Sequence, residues 1–150
     1  MTVTPRRAKT AVTRENLGFL LAKASQRWNE LLYDRFAAAG YPDVRPSYGS
    51  ILIPLFEEDG LRMGELAARA RLSKQTMTTM VRLLERDRLV ERRADPSDGR
   101  AALVFLSERA RDFRPVAEGV LAELDRLVAR RLSARGRTEL REALGALADL

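Results

Sequence analysis

Residues Gly64–Ala110 read GELAARARLSKQTMTTMVRLLERDRLVERRADPSDGRAALVFLSERA, and the hydrophobic period changes within them. In Gly64–Ala70 the residues Leu66, Ala67 and Ala70 share one face at helical spacing. Ser73 is placed to cap a second run, Lys74–Asp87, in which Met77, Val81 and Leu84 stand four and three apart. After Leu89 the period shortens to about 2, the signature of extended chain. Leu89–Ala94 and Ala101–Leu106 therefore read as strands on either side of Asp95–Arg100 (DPSDGR), a cluster of turn-forming residues.

Helix, tight turn, helix and two-stranded ribbon make a winged helix-turn-helix arrangement. Ala67 and Ala68 are small enough to let the two helices cross closely. Ser73, Lys74, Gln75, Thr76, Thr78, Thr79 and Arg82 form a polar face on the second helix above Met77, Val81 and Leu84. Short hydroxyl and amide side chains at a helix start suit base edges and phosphates in a major groove. The same threonines also read as caps and solvated positions. At the ribbon tip, Asp98 stands two residues from Arg100, whose guanidinium suits a narrow, electronegative minor groove. The plainer alternative makes Asp95 and Asp98 turn stabilisers and Arg100 an ordinary surface residue. Arg92 and Arg93 on the incoming strand read either as phosphate contacts or as a solvated edge.

The flanks are helical. Leu17, Leu20, Leu21, Ala24, Trp28, Leu31, Leu32 and Phe36 recur at three- and four-residue spacing, with Thr13 as the expected cap and Gly40 as the stop. A helix of roughly 26 residues would be about 39 Å long. A second helix is expected from Pro46, with Pro54 bending it. Ser107 caps a long amphipathic helix in which Pro115 should introduce a kink, and Ser133 interrupts it before a last run through Leu140, Ala143, Leu144 and Leu147. The expected organisation is a basic arm over 1–13 and a single domain over 14–150. Within it the winged module occupies about 46–106, and framing helices occupy about 14–39 and 108–148.

The 150 residues suit one domain, and 45% hydrophobic with 32% charged residues describes a soluble globular chain. The apolar stretches near Phe19–Ala22 and Ile51–Phe56 fall well short of the ~20 residues a membrane span needs. No apolar segment follows the basic N-terminus, so a cytoplasmic protein is expected. With no cysteine and no histidine, disulfides, thiolate catalysis, imidazole metal sites and histidine-based triads are all excluded. No acid–base carboxylate pair stands beside a phosphate-cradling loop, so neither an enzyme nor a cofactor is expected. The net charge of +6 is uneven: residues 1–14 carry +4, 15–60 carry −3, 61–111 carry +5, and 112–150 balance. A basic module between near-neutral flanks suggests an anionic polymer as partner, although arginine is simply abundant throughout.

The segment Gly64–Ala110 closely resembles the core of the MarR family of transcriptional regulators. The resemblance rests on Leu72–Thr76 (LSKQT), Leu89–Arg93 (LVERR) and Asp95–Arg100 (DPSDGR), and by architecture it extends over about 14–148. It implies a mainly α fold with a two-stranded wing, and a homodimer interlocked through its first and last helices. It further implies a double-stranded, pseudo-palindromic DNA operator, repression, and release by a small aromatic or phenolic ligand. By family placement, Trp28, Tyr48, Phe113 and Arg114 become pocket candidates, although aromatics at such spacing also serve as core or dimer interface. A winged-helix module without an effector, binding DNA or another protein, is the alternative. Two positions depart from the family pattern, since Arg71 and Arg88 stand where it usually has glycine.

Overall fold

The computed structural model describes residues 12–150. Most of the expected basic arm, residues 1–11, lies outside the described residues. The first helix, α1 (Leu17–Ala38), is 22 residues long, or about 33 Å. Its cap is Asn16 rather than Thr13. The Asn16 side chain accepts from the amides of Gly18 and Phe19 at 2.9 and 3.3 Å, while the Thr13 hydroxyl accepts only from Glu15 at 3.4 Å, a turn too early. Gly40, at φ 95°, turns the chain just past the helix end. A single 3-10 turn, Pro46–Tyr48, then leads into α2 (Gly49–Glu57), with Pro54 inside it.

The expected two-stranded wing is part of a three-stranded sheet. A two-residue strand, β1 (Leu61–Arg62), pairs antiparallel with the central strand β3 (Asp98–Leu106), which also pairs with β2 (Val90–Asp95). Leu61 lies opposite Val104, and Val90 opposite Leu106. Two residues cannot display a period, which is why the pattern gave no sign of β1. Gly60, at φ 71°, admits the chain to this strand; a Cβ there would stand 2.7 Å from the Phe105 ring. The wing turn is tighter than expected. Asp95 pairs with Asp98, leaving Pro96 and Ser97 as the connection, and the Asp95 carboxylate accepts from the Ser97 amide and hydroxyl at 2.9 and 2.8 Å.

Between β1 and β2 lie α3 (Met63–Ala70) and α4 (Lys74–Arg86). Their connection turns on Arg71 at φ 53° and ψ 43°, and α4 ends before Arg88 at φ 60°. Both arginines therefore occupy left-handed backbone, at a cost of about 1 kcal/mol each relative to glycine. The core of the module brings Tyr48, Ile51, Leu55, Leu66, Met77, Val81, Leu84, Leu89 and Val104 together, each at most 1% exposed.

The last element, α5 (Glu108–Ala148), starts at Ser107, whose hydroxyl accepts from the Ala110 amide at 3.1 Å. Pro115 lies within continuous helix, and the break falls at Ser133, at φ 73° and ψ 165°. Ser133 also caps the final helical stretch, its hydroxyl accepting from the Gly136 amide at 3.1 Å. Phe113 and Leu124 seal the first part of α5 against the module and α1, whereas no residue after Ser133 is buried. No described helix is long and apolar enough to cross a membrane.

Candidate nucleic-acid interface

The helix α4 is two-faced by construction. Met77, Val81 and Leu84 are fully buried and fix its roll, which sends Lys74, Gln75, Thr79 and Arg82 to solvent. Its start is held by Ser73, whose hydroxyl accepts from the Thr76 amide at 3.1 Å and donates to the Thr76 hydroxyl at 2.9 Å. Thr78 and Thr79 donate to the carbonyls of Lys74 and Gln75 at 2.9 and 3.1 Å. Their hydroxyl protons are thereby used, and each offers outward an acceptor oxygen and a methyl group. Lys74, Gln75 and Arg82 are exposed, and neither Lys74 nor Arg82 has a carboxylate partner among the described residues.

The wing presents a similar mixture of tied and untied charges. Arg100 has no ion-pair partner among the described residues. Asp98 does not orient its guanidinium; the carboxylate accepts instead from the Arg100 backbone amide at 3.1 Å, fixing the turn. Arg92 lies 2.7 Å from Glu85 on α4, so it joins β2 to the end of that helix. Arg93 pairs with Glu91 at 3.2 Å and lies over the Phe105 ring at 4.4 Å. Sequence reasoning missed Arg62, which reaches from β1 to Asp95 at 2.6 Å and the Ser97 hydroxyl at 3.4 Å. Its only signal was an arginine just before Met63–Leu66, with no period to place it. Together Arg62, Arg92, Arg100, Glu65 and Thr78 edge an open groove between α4 and the wing.

Two carboxylates under this surface are held ionised. The Arg86 guanidinium, followed by the Tyr48 hydroxyl, lowers the Asp87 pKa against the opposing effect of burial. The Ser97 amide and hydroxyl, with Arg62, lower that of Asp95. Tyr48 moves the other way, raised first by burial and then by its hydrogen bond to Asp87.

The four expected pocket residues stand in different surroundings. Tyr48 is buried and donates to Asp87 at 2.5 Å. Phe113 is buried edge-on against Phe36, with ring centroids 4.8 Å apart, and tilted against Tyr41. Trp28 is partly buried beside the same core. Arg114 is exposed, pairs with Glu118 at 2.9 Å, and donates to the Phe56 carbonyl at 3.2 Å. The larger open groove runs along α1 past Ser25, Asn29, Tyr33 and Pro46, and includes none of the four.

A helix-turn-helix with its second helix exposed at the start, flanked by a cationic wing and mounted on long helices, defines a winged-helix protein. Residues 51–101 match the sequence profile of the MarR family. The HTH-type transcriptional repressor Rv2887 of Mycobacterium tuberculosis is 36% identical over 90 residues, which span 60% of this chain and 65% of that protein, just under two thirds of its length. Among solved structures, the transcriptional repressor CouR bound to a 23-mer DNA duplex superposes with a TM-score of 0.77 at 26% identity, covering 94% of this chain and 98% of that one. A probable transcriptional regulator from Pseudomonas aeruginosa gives 0.77 at 28% identity, covering 89% and 97%. Over residues 51–101 the chain therefore carries the MarR-family pattern, and its whole described fold is similar to that of winged helix-turn-helix transcriptional regulators.

Proposed function

We propose that this regulator is a homodimeric repressor that reads a pseudo-palindromic operator and is released by a small organic effector. The observation that carries the reading is the free cationic surface of Lys74, Arg82 and Arg100, set around Gln75 on a helix whose roll is fixed from beneath. Ser73, Gln75, Thr76, Thr78 and Thr79 face the major groove, and Lys74 and Arg82 take phosphates. Arg100, on a turn stiffened by Asp98, enters the minor groove. Arg92 and Arg93 work from beside the duplex, holding the wing while leaving their remaining donors for phosphate.

Exposed leucines support the dimer. Leu17, Leu20 and Leu21 on α1 and Leu140, Leu144 and Leu147 on α5 are each at least 37% exposed in the single chain, more apolar surface than an isolated monomer tolerates well. Recognition helices about 34–36 Å apart would then enter successive major grooves. CouR, a repressor bound to DNA with the same fold, supports the partner.

An effector at the expected pocket would meet Trp28 and Arg114 first, and would reach Tyr48 or Phe113 only by opening the core that buries them. That closed packing favours a second reading, a repressor that responds to no small molecule.

Substitution separates contact from background. Gln75→Ala should weaken operator binding by about 1–3 kcal/mol and relax specificity at one base pair, whereas Lys74→Ala should weaken all sequences alike and reduce the salt dependence. Variants that remain dimeric yet bind as tightly and selectively as the parent would remove these assignments.

A further inference from the structure

The turn between α3 and α4 has a backbone suited to glycine, yet Arg71 occupies it. Its side chain makes two bonds to one place. One guanidinium nitrogen donates to the carbonyl of Ala148, and the other donates to the Asp149 carboxylate at 2.7 Å. Both acceptors lie at the C-terminal end of α5, where helix carbonyls lack partners and the helix dipole is negative. Among the described residues, no other hydrogen bond or ion pair joins residues 134–150 to the winged module. The same stretch, with Leu140, Leu144 and Leu147, is the face proposed for dimerisation.

We propose that Arg71 is a positioning strut that sets the angle of the winged module on the helical frame, and with it the half-site spacing the dimer accepts. The inference rests on the DNA-reading dimer proposed above. The pair is exposed on both sides, so its Coulomb energy is small. Its effect is geometric: a planar guanidinium seated on two acceptors restrains direction as well as distance. A module tethered at its own helix-turn-helix junction moves with the end of α5, and a change at the dimer interface reaches the recognition helix through this tether.

The absence of cysteine makes the test direct. Gly99→Cys places one label at each wing tip, where an added Cβ meets open space. Pulsed electron-spin measurements on this parent should give one narrow wing-to-wing distance. Adding Arg71→Gly should broaden it without lowering the thermal midpoint, because glycine relaxes the backbone. The same change should reduce discrimination against operators with half-sites shifted by one base pair, by roughly three- to tenfold. The exchange Arg71→Asp with Asp149→Arg should restore much of the narrow distance, since aspartate tolerates the left-handed backbone. An unchanged distance and spacing preference in Arg71→Gly would overturn the proposal. So would a salt slope reduced by about 0.9 with spacing preference intact, which marks a phosphate contact instead. A parent with no wing-to-wing distance would overturn the dimer itself, and this inference with it.

Discussion

Asp87 joins three elements with one residue. Its carboxylate accepts from Tyr48 at the entry to α2 and from Arg86 at the end of α4, and its carbonyl accepts from Arg109 at the start of α5. Because the folded state holds this carboxyl below its ordinary value of 3.8, the unfolded chain binds the proton more readily. The stability it contributes is present above about 3.8 and is lost as pH falls through the lower, folded value. Denaturant unfolding across acid pH should show the parent losing stability on that limb. Asp87→Asn should be less stable at neutral pH and show a shallower acid limb, the remainder coming in part from Asp95. A limb unchanged by Asp87→Asn would sink the assignment. Such links between distant residues are invisible in sequence, where Tyr48 stood as a pocket candidate or a core or interface aromatic. Arg71 and Arg88 were legible as departures from a pattern, but the contact from Arg71 to the end of α5 was not.

The element most legible in advance was α4. Ser73, the apolar triplet Met77, Val81 and Leu84, and the outward polar face all lie where their spacing puts them, because capping and amphipathicity act within a few turns. The same locality explains the accuracy at Ser107 and Ser133. Failures came where neighbours in space decided the outcome. Leu61–Arg62 is a strand only because β3 offers it a partner, and Asn16 displaced Thr13 because its carboxamide reaches two helix amides. Pro96 and Ser97 form a shorter turn than DPSDGR suggested because Asp95 satisfies the Ser97 amide. If the Ser73 hydroxyl is the operative cap, Ser73→Ala should lower unfolding stability by about 1 kcal/mol. Ser73→Asp should preserve stability while weakening DNA binding through added negative charge. Equal stability of serine and alanine variants would show that the start of α4 is held by packing alone.

At the scale of the molecule, the buried residues cluster in the winged module and its junction with α1 and α5, while both long helices leave apolar stripes uncovered. The charge arithmetic and the excess of leucine in the flanks made this division readable from sequence. What covers these stripes was readable only as a requirement for a partner, proposed to be a second copy of the chain. Leu144→Asp, centred in the exposed stripe of α5, should convert the protein to monomer in sedimentation-velocity runs and abolish tight operator binding together. A variant still dimeric would place the interface elsewhere.

The proposed function is sequence-selective reading of DNA by two winged modules. It is tested by titrating the purified protein in fluorescence anisotropy against DNA from the region upstream of its own gene, over several salt concentrations, with scrambled DNA of equal length alongside. Saturation is expected at two protomers per site, with affinity for the native sequence well above the scrambled one and weakening as salt displaces phosphate contacts. Equal, weak binding to both DNAs at every salt concentration would rule out selective reading by the pair.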